Sequence, residues 1–121
     1  MDRDQFNRFC ASLTATTHVV QWGGADVWKV AGKVFAVAGW SDRVHAGISF
    51  KVTQLSFEIL REQAGLRPAP YLAARGMTWI QQYEKPGLSD ADLEAYLTRS
   101  HALVAAGLSK KKQREFGLPV E

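Results

Sequence analysis

The stretch between residues 16 and 52 constrains the fold most, because short Val-, Phe- and Trp-rich segments there are cut by Gly23-Gly24, Gly32 and Ser41-Asp42-Arg43. Breaks of hairpin length leave no room for a crossover helix, so these segments must be antiparallel neighbours in one sheet. The clearest is Val44 to Val52, where Val44, Ala46, Ile48, Phe50 and Val52 alternate with His45, Gly47, Ser49 and Lys51. That alternation predicts one buried face and one wet face. From Asp26 to Ala31 the same period turns Trp28 and Val30 inward and Lys29 outward. Lys33 to Trp40 is apolar on both faces, as expected of a central strand or one covered on its outer side.

Helical periodicity flanks these strands. Asp2 with Gln5 forms a capping box for a first helix from Arg3 to about Ala15, with Phe6, Phe9, Cys10 and Leu13 on one side. Thr53 caps a second helix, Gln54 to Ala64, whose Leu55, Ile59 and Leu60 are expected to face inward and which Gly65 stops. In the segment Gly65 to Pro70, Pro68 and Pro70 fix their own φ and bias Arg67 and Ala69 toward extended backbone. Tyr71 to Ala73 is expected to add a short strand, and Met77 to Tyr83 a longer one. Its alternation sets Met77, Trp79 and Tyr83 against Thr78, Ile80 and Gln82, so helices over Ile80 would leave Trp79 and Tyr83 on the open face.

Ser89 with Asp92 starts a long helix, stapled by Leu88 and Leu93. Leu93, Tyr96, Leu97, Ser100, Val104 and Leu108 follow one face to about Ala106, and Gly107 ends it. Ser109 caps one more basic turn, Lys110 to Phe116, before an expected tail at residues 117–121. The element order predicts an α+β fold: a two-layer sandwich with an antiparallel sheet of about five strands and helices packed on one face.

At 121 residues, with 46% hydrophobic and 22% charged residues, the chain fits one soluble domain spanning its whole length. The longest apolar run, Val34 to Trp40, is far short of the ~20 residues a membrane helix needs. The acidic start, Met1-Asp2-Arg3-Asp4, does not resemble a signal peptide, so a cytoplasmic location is expected. Cys10 is the lone cysteine, placed on an apolar helix face as a core residue. His18, His45 and His101 are far apart in sequence, and no His or Cys pair has metal-ligand spacing. No nucleophile elbow or phosphate-loop motif is present, so neither an enzyme nor a cofactor is expected. Asp90, Asp92 and Glu94 lie where a helix start favours carboxylates.

The Gly65 to Trp79 stretch, GLRPAPYLAARGMTW, is followed by Leu88-Ser89-Asp90 and a helix bearing Tyr96 and Ser100-His101-Ala102-Leu103-Val104. This combination resembles the MmcQ/YjbR family of small bacterial proteins over nearly the whole chain. The resemblance implies a fold compared with frataxin-like and secretion-chaperone-like folds. It also implies DNA binding through a double-wing arrangement of strand hairpins, here the loops around Gly23-Gly24 and Ser41-Asp42-Arg43 with Lys29, Lys33 and Lys51. Frataxin-like iron binding does not carry over, since the first helix offers only Asp2 and Asp4.

Net charge is +3, so distribution matters more than total. The leading expectation is a non-enzymatic DNA-binding or regulatory protein that contacts phosphates through Lys29, Lys33, Arg43 and Lys51 and through Lys110, Lys111, Lys112 and Arg114. The second is an adaptor or small anionic-ligand module. It would use the open sheet face and a corner formed by Arg67, Tyr71 and Arg75 with Trp79, and would hold a protein partner or an anionic small molecule.

Overall fold

The computed structural model describes residues 1–42, 44–73 and 76–120. The elements run α1 (Arg3–Ala11), β1 (Thr16–Gln21), β2 (Ala25–Val30), β3 (Lys33–Ala38), β4 (Ile48–Lys51), α2 (Gln54–Leu60), β5 (Leu66–Pro68), β6 (Trp79–Gln82), α3 (Asp90–Ala106) and α4 (Lys110–Glu115). All six strands form one antiparallel sheet in the order β1-β2-β3-β4-β6-β5. This is the expected α+β sandwich, with six strands where about five were expected; β1 and the three-residue β5 supply its edges.

The main core lies on the helix side, where Phe6 and Cys10 of α1, Phe57 and Leu60 of α2, and Leu93, Leu97 and Val104 of α3 meet Trp28, Val30, Ile48, Phe50 and Ile80. Burial pushes the Cys10 thiol up to about 12, which leaves it inert at neutral pH. Ser100 stitches the two layers together. Its hydroxyl donates to the Phe35 carbonyl at 2.6 Å and accepts from the Lys51 amide at 2.8 Å. A second, smaller cluster of Ala25, Val27 and Val37 sits on the other face, with Val34 and Trp40 against it. That cluster explains why Lys33 to Trp40 is apolar on both sides.

Several expectations fail for local reasons. Helix α1 ends at Ala11 instead of Ala15, because Ser12 caps it and Ala15 takes a left-handed φ of 60°. The Val44 to Val52 alternation becomes strand only from Ile48. The Asp42 carboxylate accepts from the Val44 and His45 amides and makes a turn that leaves Val44 84% exposed. Ser49, assigned to the wet face, is fully buried. Helix α2 ends at Leu60, short of Ala64, and buries Phe57 and Leu60, leaving Leu55 and Ile59 in solvent at 72% and 56%. Tyr71 to Ala73 forms no strand: Tyr71 and Leu72 lie in a turn, with Tyr71 at φ 66°. Within residues 117–121, expected as a tail, Leu118 is buried in the main core and its amide donates to Gln113.

Candidate nucleic-acid interface

Two ends of the sheet can be told apart by strand register. Val30 pairs with Lys33 across a two-residue turn, Ala31-Gly32, in which both residues have positive φ, as a tight hairpin with matched twist requires. Lys29 and Lys33 flank this tip. Lys51 closes β4 at the same end of the sheet, since its neighbour Phe50 pairs with Ala36. The Ala31 amide donates to the Ala15 carbonyl, tying in the turn before β1.

Helix α4 completes this end. Ser109 caps it by accepting from the Lys112 amide, and the Gln113 side chain, 1% exposed, donates to the Ala105 carbonyl near the end of α3. Held there, α4 reaches the hairpin: Lys112 Nζ donates to the Ala31 carbonyl at 3.5 Å. The two basic groups therefore meet at one end, with Lys29 and Lys33 from the hairpin and Lys110, Lys111, Lys112 and Arg114 from α4. Lys33 and the four α4 cations are exposed, and Lys29 and Lys51 are half-buried. Among the described residues, none of these cations forms an ion pair. Lys51 lies beside a shallow cleft of about 350 Å³ also lined by Thr53, Ser56, Tyr96, Arg99 and Leu103. Arg99, which sequence reasoning passed over, is exposed and lies over the Tyr96 ring at 5.1 Å.

The loops implied as wings sit at the opposite end. Gly23-Gly24 joins β1 to β2 beyond the Gln21–Ala25 pair, and residues 41–42 follow the end of β3. At about 3.3 Å per strand residue, roughly 16 Å of β2 separates them from Lys29 and Lys33. The expected grouping of these loops with the three strand lysines therefore does not form. Arg43 and Arg75 lie outside the described residues.

On the open face, Arg67 is already occupied. Its Nε donates to Gln81 Oε1 at 2.8 Å, and its guanidinium lies over the Tyr83 ring at 4.4 Å. Gln81 in turn donates to the Gly39 and Trp40 carbonyls. Trp79 does lie on the face opposite Ile80, yet it is only 4% exposed, so its ring packs and presents little surface. The exposed aromatics beside this face are instead Trp22 at 49% and Tyr71 at 69%, both in contact with Trp40, one stacked at 5.7 Å and one edge-on at 5.3 Å. All three have left-handed φ, 53°, 66° and 59° for Trp22, Tyr71 and Trp40, a costly conformation for bulky side chains that the packing sustains.

Several charges at this far end have internal partners. Asp26 accepts from Arg3 at 2.9 Å and lies 2.7 Å from His18 Nε2. Burial raises its pKa, but hydrogen bonds from His18, Asn7 and Arg3 outweigh this and hold the carboxyl below its ordinary value. Arg3 also donates to the Gly24 and Ala38 carbonyls, and the Met1 amino group pairs with Asp90 at 2.9 Å. Asp42 is likewise held below its ordinary value, by the His45 amide first, then by the His45 ring and the Val44 amide. Among the described residues no group of three or more His, Cys, Asp and Glu could hold a metal, and no helix is long and apolar enough to cross a membrane.

The sequence model of the family described as YjbR matches residues 11–103. The fold is similar to the crystal structure of Deinococcus radiodurans protein DR2400, whose domain is described as DUF419, with 21% identity and a TM-score of 0.81. That match covers 99% of this chain and 91% of the other. No curated protein matches the sequence.

Proposed function

The chain belongs to the YjbR family, and from that premise we propose that it is a non-enzymatic DNA-binding protein that holds the duplex by its phosphates. The reading rests on one observation: the contact of Lys112 with Ala31, which gathers Lys29, Lys33, Lys110, Lys111, Lys112 and Arg114 at one end of the sheet. Cations that form no internal ion pair are the groups that can displace the counterions of a phosphate backbone. Phosphate contacts position a protein on DNA without reading its sequence, so weak sequence preference is expected. If all six contribute, the log–log dependence of affinity on salt should have a slope of about −5. Anisotropy titration of a labelled duplex at two salt concentrations tests this. No binding at low salt, or binding indifferent to salt, would contradict it.

A second reading, an adaptor or anionic-ligand module on the open face, is favoured by the Trp22–Trp40–Tyr71 cluster. Arg67 is held by Gln81 and Tyr83, so the recognition surface would be the aromatic rings more than a cationic corner. A thermal-shift screen against nucleotides and acidic metabolites tests the ligand form, and a complete absence of stabilisation counts against it.

A further inference from the structure

The sequence protects one edge of the sheet and leaves the other open. Edge β5 is three residues long, contains Pro68, and has its Arg67 side chain folded onto Gln81. Such short, proline-bearing edges do not template further pairing. Edge β1 has six residues, Thr-Thr-His-Val-Val-Gln, with four β-branched side chains and no Lys, Arg, Asp, Glu or Pro. Its ladder with β2 runs without a shift over all six pairs, because the irregularity in β2 lies at Trp28/Lys29 against β3. Residues 17–20 are exposed, and beyond the ladder the backbone of residues 17–21 has no hydrogen-bond partner among the described residues. Val19 on the open face is 37% exposed and Val20 on the other 60%.

We propose that the chain forms a two-fold dimer in which β1 of one copy pairs antiparallel with β1 of a second copy, joining the two sheets into one. Residues opposite each other across an antiparallel pair share a face, so this two-fold axis stands normal to the sheet and both helix layers lie on the same side. Centring the pair on Val19 sets Val19 against its own copy on the open face, and His18 against Val20 of the second copy on the helix side. Charge argues for a second copy in this orientation. The basic hairpin and α4 lie at the Thr16 end of β1. The exposed Asp2 and Asp4 lie at the Gln21 end, where Arg3 of the same turn of α1 donates to the Gly24 carbonyl. Antiparallel addition sets each basic end beside the other copy's acidic end, whereas parallel addition would set basic against basic. A six-residue ribbon buries less than the ~1,200 Å² of a standard interface, so the dimer is weak and concentration-dependent.

Sedimentation equilibrium of the full chain from about 1 µM to about 1 mM should show a monomer–dimer equilibrium. Val20→Lys, at an exposed position, should raise the dimer dissociation constant at least tenfold while circular dichroism and Tm stay unchanged. Val19→Cys should give a disulfide-linked dimer under mild oxidation. The parent chain should not, because its one cysteine, Cys10, is buried. A monomer throughout the range, a dimer indifferent to Val20→Lys, or assembly beyond two copies would overturn the proposal. A persistent dimer that Val19→Cys fails to cross-link would overturn the Val19-centred register.

Discussion

Where β1 turns into β2, Arg3 bridges Asp26, Gly24 and Ala38, His18 sits on Asp26, and Met1 holds Asp90. Where β2 turns into β3, six cations gather, and among the described residues the one internal bond made by their head groups is Lys112 to a carbonyl. Arg3, His18, Asp26 and the Met1 amino group at the first end are engaged in the chain's own structure, while the cations of the second face water. Sequence position alone does not distinguish the two, since both ends carry Lys or Arg on short elements. What separates them is whether a partner lies within reach, and only the second end gathers several cations that form no ion pair among the described residues.

The contrast is broken most directly by swapping its consequences. Replacing Lys110, Lys111, Lys112 and Arg114 together with Gln should weaken duplex binding by well over tenfold at low salt and make the salt slope shallower by about 3 to 4. Thermal stability should barely change, because surface charges away from buried networks alter it by about 0.5 kcal/mol at most. Arg3→Ala should do the reverse. It strips Asp26 and two carbonyls of donors at a partly exposed site, so it should cost roughly 1–3 kcal/mol in denaturant unfolding and leave duplex affinity intact. Loss of DNA binding in Arg3→Ala, with the fold retained, would show that the ends are not separate.

Acid sharpens the same distinction. The Asp26 carboxyl is lowered from 3.8, so it contributes stability above that value and loses it as pH falls through the lower folded pKa. A urea-midpoint profile should therefore drop below about pH 4, and Asp26→Asn should flatten the drop. The smallest effect belongs to neither end. Ser49 Oγ is buried in the middle of the sheet with no hydrogen-bond partner among the described residues, so Ser49→Ala should be neutral or stabilise by up to about 1 kcal/mol, read as Tm.

Much of the fold was legible because its signals are local. Asp2, Thr53, Ser89 and Ser109 each cap a helix as their side-chain chemistry predicts, and Gly107 ends α3 where expected. Errors arose where a local pattern met a competing side chain or an ambiguous face. The Asp42 carboxylate captures two amides that the Val44 alternation had assigned to a strand. In α2, Leu55 and Ile59 have the spacing of an inward pair, yet Phe57 and Leu60 take the core. The candidate site was half legible: its cations stand out in the sequence, but their union depends on a contact between residues 81 apart, which no window of sequence contains. The left-handed Trp22, Trp40 and Tyr71 leave no sequence signal either, since they occupy a conformation usually reserved for glycine.

The central claim is that the end built from the β2–β3 hairpin and α4 is the surface that meets phosphate. It is tested most directly by the salt dependence of duplex binding, measured side by side for the parent chain and the variant with all four α4 cations replaced by Gln. The account predicts a slope near −5 for the parent and about −1 to −2 for the variant. Equal slopes for the two proteins would contradict it.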